Sequence, residues 1–466
     1  MGSIPVLTPD FASALTRFGK ELTENDDFFI LSHHDADGIT SCAITVGLLR
    51  SLGKNVDYAC MKQIDSFTVE KIREYAGRTV VLTDFGSGQL SLLEEHGVKD
   101  YFVIDHHPPE RGYARQINPN EYGYNGGSDI SGAGTAYFVA RAIGHMEMAH
   151  IAVVGAVGDM QDSSGALGSI NRVILEDGVL NNTLLIEKDI RLFGRQSRSL
   201  VQMLAYSSEP IIPGLTGNQA ACAQFIESLG IRLKDGGNWR SYVDLTSHER
   251  ELFTSALYMR LVDLNTPDYM IHGMYGEVYT LLAEEHKSEL RDAKEFATLL
   301  NACGRHEEPD VGVDVCLGDR GRKWKHAKTL LEKHRRQLAE GIEYLTQEGT
   351  RDLGNLRYFD AGDAIKESIV GVVAGMAYGA RIIPPDKPIL AFAKDGNDEN
   401  FLKVSARANW ALVRRGIHLG NAMRECSKKH GGEGGGHDIA AGARVPKGRK
   451  DDFLRCVNEA FGKQVR

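Results

Sequence analysis

Apolar positions in the first third of the chain follow two periods in turn. Phe11, Leu15, Phe18 and Leu22 fall on one side of a helix. Short apolar runs of strand length follow: Phe28-Phe29-Ile30-Leu31, Val80-Val81-Leu82 and Tyr101-Phe102-Val103-Ile104. Helical patterns separate them. One is opened by Gly38, carried by Ile39, Ala43, Val46 and Leu49, and stopped near Gly53; a short strand over 56–60 comes next. Ser66 is the expected N-cap of a helix over 67–75, and 89–96 forms another helix before Gly97. This alternation predicts a parallel sheet with right-handed crossovers. Ser131-Gly132-Ala133-Gly134 then opens a helix to about Ile143. A glycine-rich turn of this kind can offer N–H groups to a phosphate, and a tight helix–sheet contact accounts for it at least as well.

The polar positions matter most where the apolar runs end. The first run leads into Ser32-His33-His34-Asp35-Ala36-Asp37, the second into Thr83-Asp84, and the third into Asp105-His106-His107, where Pro108-Pro109 stops any further element. The apolar stretch 150–157 ends in Gly158-Asp159. Taken singly, each acid has a plainer role as a helix N-cap or turn residue, and a lone histidine is more often a hydrogen-bonding residue. Together they converge, because the carboxyl ends of parallel strands meet at one crevice. Four or more carboxylates gathered there repel one another unless cations hold them. Carboxylate mixed with imidazole, without thiolate, suits a divalent ion, manganese more than zinc or calcium.

Beyond residue 190 the pattern turns helical, over 200–204, 220–229 and 247–264. Residues 275–301 read as a long helical connection. The run Arg320-Gly321-Arg322-Lys323-Trp324-Lys325-His326, with Lys328, Lys333, Arg335 and Arg336, is either a solvated helix face or the wall of a single-strand channel in which Trp324 stacks on a base. From Gly354, strand and helix patterns return. Five glycines among the eight residues from His430 to His437 suit a close approach to an anion, and a flexible hairpin is the plainer alternative. The fold class is therefore α/β: a parallel-sheet N-terminal domain (1–190), a helical insertion (191–285), a helical connector (286–345) and a smaller mixed-sheet α/β C-terminal domain (346–466).

Composition narrows this only a little. The net charge of −9 argues against blanket binding to nucleic acid but allows a local basic groove. Seven scattered cysteines without a Cys-x-x-Cys pair read as reduced thiols in a cytoplasmic, intracellular protein. No apolar run approaches a membrane span, and no secretory signal is visible.

The series His33-x-Asp35-x-Asp37-Gly38, Asp84, Asp105-His106-His107 and Gly158-Asp159 resembles the DHH phosphoesterase superfamily, named for its third motif. Gly431-Gly432-Glu433-Gly434-Gly435-Gly436-His437 with Ala440-Ala441-Gly442 resembles the glycine-rich signature of the DHH-associated domain, and Lys403-Val404-Ser405-Ala406-Arg407 its substrate-facing strand. Ser207-Ser208-Glu209-Pro210, Pro213-Gly214-Leu215-Thr216-Gly217 and the segment from Arg291 to Arg305 are similar to archaeal RecJ-like nucleases. The resemblance implies two divalent ions, most readily Mn2+, with Mg2+ as the alternative. Asp84 would bridge them. His33 and Asp35 would hold one, and Asp37, His106 and Asp159 the other, with His34 open as an alternative to His33. His107 would meet the scissile phosphate, and Asp105 would orient a histidine. Ser405, Arg407, Gly435, Gly436 and His437 would grip the substrate. The implied activity is 5′-to-3′ exonuclease action on single-stranded DNA, with RNA as a further substrate, in replication or repair. The insertion would either dock the GINS replication complex or prop the outer domains. A short-oligonucleotide or cyclic-dinucleotide phosphodiesterase and a non-catalytic replicative-helicase scaffold are the alternatives.

Overall fold

The computed structural model describes residues 6–65, 68–75, 77–207, 212–266, 268–379, 382–396 and 398–465. The expected cap Ser66 and the motif residues 208–211 lie outside them. The chain forms two units, Met1–Leu331 and Glu332–Arg466.

In the first unit, β1 (Asp27–His33), β2 (Asn55–Met61), β3 (Thr79–Thr83), β4 (Tyr101–Ile104) and β5 (Gln116–Ile117) form a parallel sheet ordered β2-β1-β3-β4-β5. The inner strands β1, β3 and β4 carry continuous apolar runs because both faces are covered, whereas β2 at the edge alternates with Asn55 and Asp57. Ile30, Val81, Phe102 and Ile104 enter a core with Phe11, Phe18 and Phe138, whereas Phe29, Leu31, Val80, Leu82 and Val103 pack on Val69 and Leu90. The register pairs Ser32 with Thr83 and Thr83 with Ile104. The strand ends are thus level, and His33, Asp84 and Asp105 emerge side by side. The stretch after His150 is a helix, Ala149–Gly158, so Asp159 arrives as a helix C-cap.

The insertion hangs from a two-stranded antiparallel ribbon, β6 (Leu184–Ile190) with β9 (Tyr275–Leu281). Between these strands lie the helices Leu200–Ala205, Gln219–Ser228 and Ser247–Asp263 and a small hairpin, β7 (Lys234–Asp235) with β8 (Asn238–Trp239). They enclose their own core around Met203, Phe253, Leu257 and Leu261. The expected long helix over 275–301 is corrected: β9 comes first, and the helix Ala293–Arg305 starts only where Asp292 caps it, accepting from the N–H groups of Lys294 and Glu295 at 3.0 and 3.2 Å. Val278, Tyr279 and Thr280 favour a strand, and β6 supplies the partner that decides it. Trp324 is also corrected. It is 8% exposed, sits in the first unit's core with Ala327, Leu330 and Leu331, and cannot stack on a base.

In the second unit, β10 (Arg351–Asp352), β11 (Arg357–Asp360), β12 (Ile389–Lys394), β13 (Phe401–Arg407), β14 (Glu433–Gly436) and β15 (Ala440–Pro446) form a mixed sheet ordered β10-β11-β12-β13-β15-β14. Only β11 and β12 pair in parallel. Alternate residues of β12 serve two cores: Ile389, Ala391 and Ala393 pack on Val370 and Val373, and Leu390 and Phe392 on Met423, Phe453 and Phe461. Cys426 and Cys456 form a disulfide between the helices Leu419–Lys429 and Lys450–Gln464. This corrects the reading of all seven cysteines as thiols; the pairing comes from the packing of two helices, which spacing does not reveal. Among the described residues, no helix is long and apolar enough to cross a membrane.

Candidate metal centre

The carboxyl edge of the first sheet carries the site. Asp35 ends β1 and caps the helix Ala36–Ser51, accepting from the Gly38 N–H at 3.0 Å through Oδ1. Its other oxygen lies 3.1 Å from His33 Nδ1, so the capping role and the site role belong to different atoms of one side chain. Asp37, in the first turn of that helix, is buried. It accepts from the N–H groups of Gly132 (2.7 Å) and Ala133 (3.0 Å). The glycine-rich turn therefore binds an anion, and that anion is the chain's own carboxylate.

Asp84 follows β3 with φ at 62°, in the left-handed region that non-glycine residues seldom occupy. It is 2% exposed, and its Oδ1 accepts no hydrogen bond. His33 Nδ1 lies 3.5 Å from one of its oxygens and His106 Nε2 lies 3.2 Å from the other. Gly132 makes room for it; a Cβ there would come within 2.5 Å of Asp84 Oδ1.

His106 has its tautomer set by its neighbours. Nδ1 donates to the Gly126 carbonyl at 2.7 Å, which leaves Nε2 facing Asp84 at 3.2 Å and Asp37 at 3.6 Å. A neutral Nε2 lone pair aimed at two carboxylates is repulsive unless a proton or a cation lies between. Asp105 is fully buried and committed: it accepts from the backbone N–H groups of Ser87, His106 and His107 and from His107 Nδ1 at 2.9 Å. Its role is to aim His107, whose Nε2 edge is left for another partner. His34 turns away and donates to the Gly304 carbonyl at 3.2 Å, which leaves His33 as the imidazole of the cluster.

The electrostatics follow from this crowding. Burial works against a charged His33, but Asp35 and Asp84 outweigh it and raise its pKa well above the usual value. Burial likewise opposes a charged His106, and the Asp84 carboxylate facing its Nε2, with the charges of Asp159 and Asp37, reverses the effect. Burial and the Asp84 charge push Asp37 well up; burial brings Asp159 to about 6. Burial lowers His34 to about 4, with the His33 charge adding to it.

Donor atoms lie within 4.8 Å of one another in three sets: His33, Asp35, Asp84; Asp37, His106, Asp159; and Asp84, His106, His107. The shared members Asp84 and His106 make one connected group. The orphaned Asp84 oxygen, the repulsive Nε2 face and the oxygen–nitrogen donor set all fit divalent metal. Several supporting residues carry no signal in the sequence. Gln161 Nε2 donates to the Gly126 carbonyl (2.9 Å) and to Asp159 Oδ2 (3.1 Å), tying two arms of the site, and Asn171 holds the Gln161 amide at 2.8 Å. Asn120 donates to the His106 carbonyl at 2.7 Å. Polar residues of this kind look like ordinary loop residues until the fold brings them in.

The residues expected to bind substrate lie in the second unit. The register aligns Ser405 with Gly442 and Gly442 with Gly435, so Ser405, Arg407 and Gly435 share one face of β13-β15-β14. A Cβ on Gly371 would lie 2.6 Å from Arg407 Nη2 and 2.9 Å from Ser405 Oγ, which shows how closely those side chains pass the helix Glu367–Gly379. Gly436 pairs with Ala441 at φ 130°, and the His437 N–H donates to the Ala440 carbonyl at 2.8 Å, closing the hairpin. The glycine run is thus an edge strand with its backbone paired on one side.

Comparison with known proteins gives matches to three family profiles: the DHH family N-terminal domain over residues 27–157, the DHH-CID domain over 192–275 and the DHHA1 domain over 361–463. An uncharacterized protein of Methanocaldococcus jannaschii is 29% identical over 447 residues, 94% of either chain. Among solved structures, RecJ of Thermus thermophilus in complex with Mn2+ matches with a TM-score of 0.58 and 17% identity, over 98% of this chain and 56% of that one. CDC45 of Entamoeba histolytica matches with a TM-score of 0.65 and 12% identity, over 97% and 98%. At these identities the structural likeness is one of fold.

Proposed function

The chain belongs to the DHH superfamily and has a RecJ-like fold, and from the geometry of its site we propose that it is a metal-dependent phosphodiesterase that degrades single-stranded nucleic acid, DNA foremost, from the 5′ end. The observation that carries this reading is His106: its Nδ1 is committed to the Gly126 carbonyl while Nε2 faces the Asp37 and Asp84 carboxylates. A divalent cation seated there would satisfy the imidazole and both carboxylates at once.

His33, Asp35 and Asp84 would hold one divalent ion, and Asp37, His106 and Asp159 with Asp84 a second. Mn2+ is the expected metal and Mg2+ the alternative, since both accept oxygen and nitrogen donors. Such ions supply a nucleophilic water at neutral pH and neutralise charge on a phosphoryl oxygen. The chain's own groups do the rest. Asp105 holds His107 through Nδ1, so His107 Nε2 is placed to donate to a phosphoryl oxygen or to protonate the leaving oxygen. Burial opposes a charge on His107, yet the Asp105 carboxylate raises its pKa, as a proton donor requires. Arg407, Ser405 and His437, with the Gly435 and Gly436 backbone, are proposed to bind substrate phosphate.

The test is digestion of end-labelled single- and double-stranded DNA with Mn2+. Stepwise loss from the 5′ end of single strands supports the reading. Turnover of only dinucleotides or cyclic dinucleotides would move it to a short-oligonucleotide phosphodiesterase. No turnover of any of these would favour a replication scaffold, the reading that the fold likeness to CDC45 supports. A GINS-type partner for the insertion belongs to that second reading.

A further inference from the structure

Asp159 and Gln161 lie in a turn that closes the helix Ala149–Gly158, where the N–H groups of Asp159, Met160 and Gln161 donate back to the carbonyls of Gly155, Val157 and Ala156. Met160, between them, is 61% exposed and has φ at 58°, the left-handed residue of that helix C-terminus. A second hold, on the outgoing side of the turn, comes from the root of the insertion. Arg191, the residue after β6, reaches back to Asp162, and its Nη2 donates to the Asp162 carbonyl at 2.8 Å and to its carboxylate. Both side chains are about nine-tenths buried. Gly276 of β9 leaves the space for this reach: a Cβ there would lie 2.8 Å from Arg191 Cδ and 2.2 Å from the Gly165 carbonyl oxygen. The Glu277 N–H donates to that same carbonyl at 2.8 Å. The ribbon therefore grips the far end of the segment whose near end carries Asp159.

We propose that Arg191 is a positioning residue for one half of the metal centre, acting through Asp162 to hold the turn that presents Asp159 and Gln161, and that the insertion is by this route mechanically tied to the site. The effect is one-sided. Gln161 bonds both Asp159 and the carbonyl that orients His106, whereas His33 and Asp35 stand on β1 and its following turn, where Asp35 is held by the Gly38 N–H. Loosening the turn should weaken the ion held by Asp37, His106 and Asp159 and spare the ion held by His33 and Asp35.

This inference rests on the proposed two-ion site, and the experiment separates the two. Metal-free full-length protein is titrated with Mn2+, followed by calorimetry and by Mn2+ electron paramagnetic resonance. The wild type should bind two ions. Arg191→Met should weaken one of them about tenfold, the lower range for loss of a supporting group, and leave the other within about twofold. Arg191→Lys keeps the charge but not the planar pair of donors, and should give a smaller shift in the same ion; it decides the matter if the methionine variant does not fold. Unchanged affinities in a folded variant, or equal weakening of both ions together with a lower Tm, would overturn the positioning role while leaving the metal centre standing. A wild type that binds no Mn2+ would overturn the site reading itself, and this inference with it.

Discussion

Two stretches rich in glycine invite the same reading and turn out differently. The turn Ser131-Gly132-Ala133-Gly134 in the first unit and the run from Gly431 to Gly436 in the second both suggest backbone donors waiting for an anion. In the first, the N–H groups of Gly132 and Ala133 are taken by Asp37, and Gly132 leaves room for Asp84, whereas Gly134 leaves room for Ile130. A Cβ on Gly155 would sit 2.7 Å from Asp37 Oδ1. In the second, the glycines form an edge strand beside Ser405 and Arg407, with no acid among their pairing partners. The first unit has concentrated carboxylate and imidazole; the second offers a guanidinium, a hydroxyl and bare backbone. One region has the donor chemistry of a cation site and the other is proposed to meet an anion, so substitutions in the two should fail in different ways.

The largest effect is expected at Asp84. Asp84→Ala should abolish turnover and Mn2+ binding together, by more than about a hundredfold, the upper range for losing a mere supporting group, with circular dichroism unchanged. Persistent activity would remove Asp84 from the centre. Arg407→Ala should lower kcat/KM by about tenfold to a hundredfold, from loss of hydrogen bonds to a charged group, with Mn2+ affinity untouched. A drop in Mn2+ affinity there would erase the contrast between the units. Gln161→Leu should resemble a mild version of the first class, weakening Mn2+ about tenfold; an effect on KM alone would speak against its place beside Asp159. Smallest for catalysis is the disulfide: reduction, or Cys456→Ser, should cost the second unit up to about 3–4 kcal/mol by releasing a loop of 30 residues, seen as a lower Tm, with Mn2+ affinity in the first unit unaltered.

Much of the first unit was legible because its signals are local. Apolar runs of strand length ended in residues of unmistakable chemistry, and parallel pairing then forces those ends together. What stayed hidden was decided by partners remote in sequence. Residues 275–281 become a strand because β6 is there to pair with them. Trp324 disappears into a core that residues such as Phe296 and Leu300 share. The choice between His33 and His34 depends on the Gly304 carbonyl, 270 residues from His34 in the chain. Gln161, Asn120 and Arg191 carry no type signal at all; their importance lies in the atoms they touch. The two cysteines of the disulfide are equally silent, since a pair 30 residues apart on two helices has no spacing rule.

The central claim is that His33, Asp35, Asp37, Asp84, His106 and Asp159 form one cage for two divalent cations. Crystals of the full-length protein soaked in Mn2+, with data collected at the manganese absorption edge, test it most directly. Two anomalous peaks, one among His33, Asp35 and Asp84 and one among Asp37, His106 and Asp159, are the predicted result. Density free of such peaks at these residues, or manganese found only elsewhere on the protein, would contradict it.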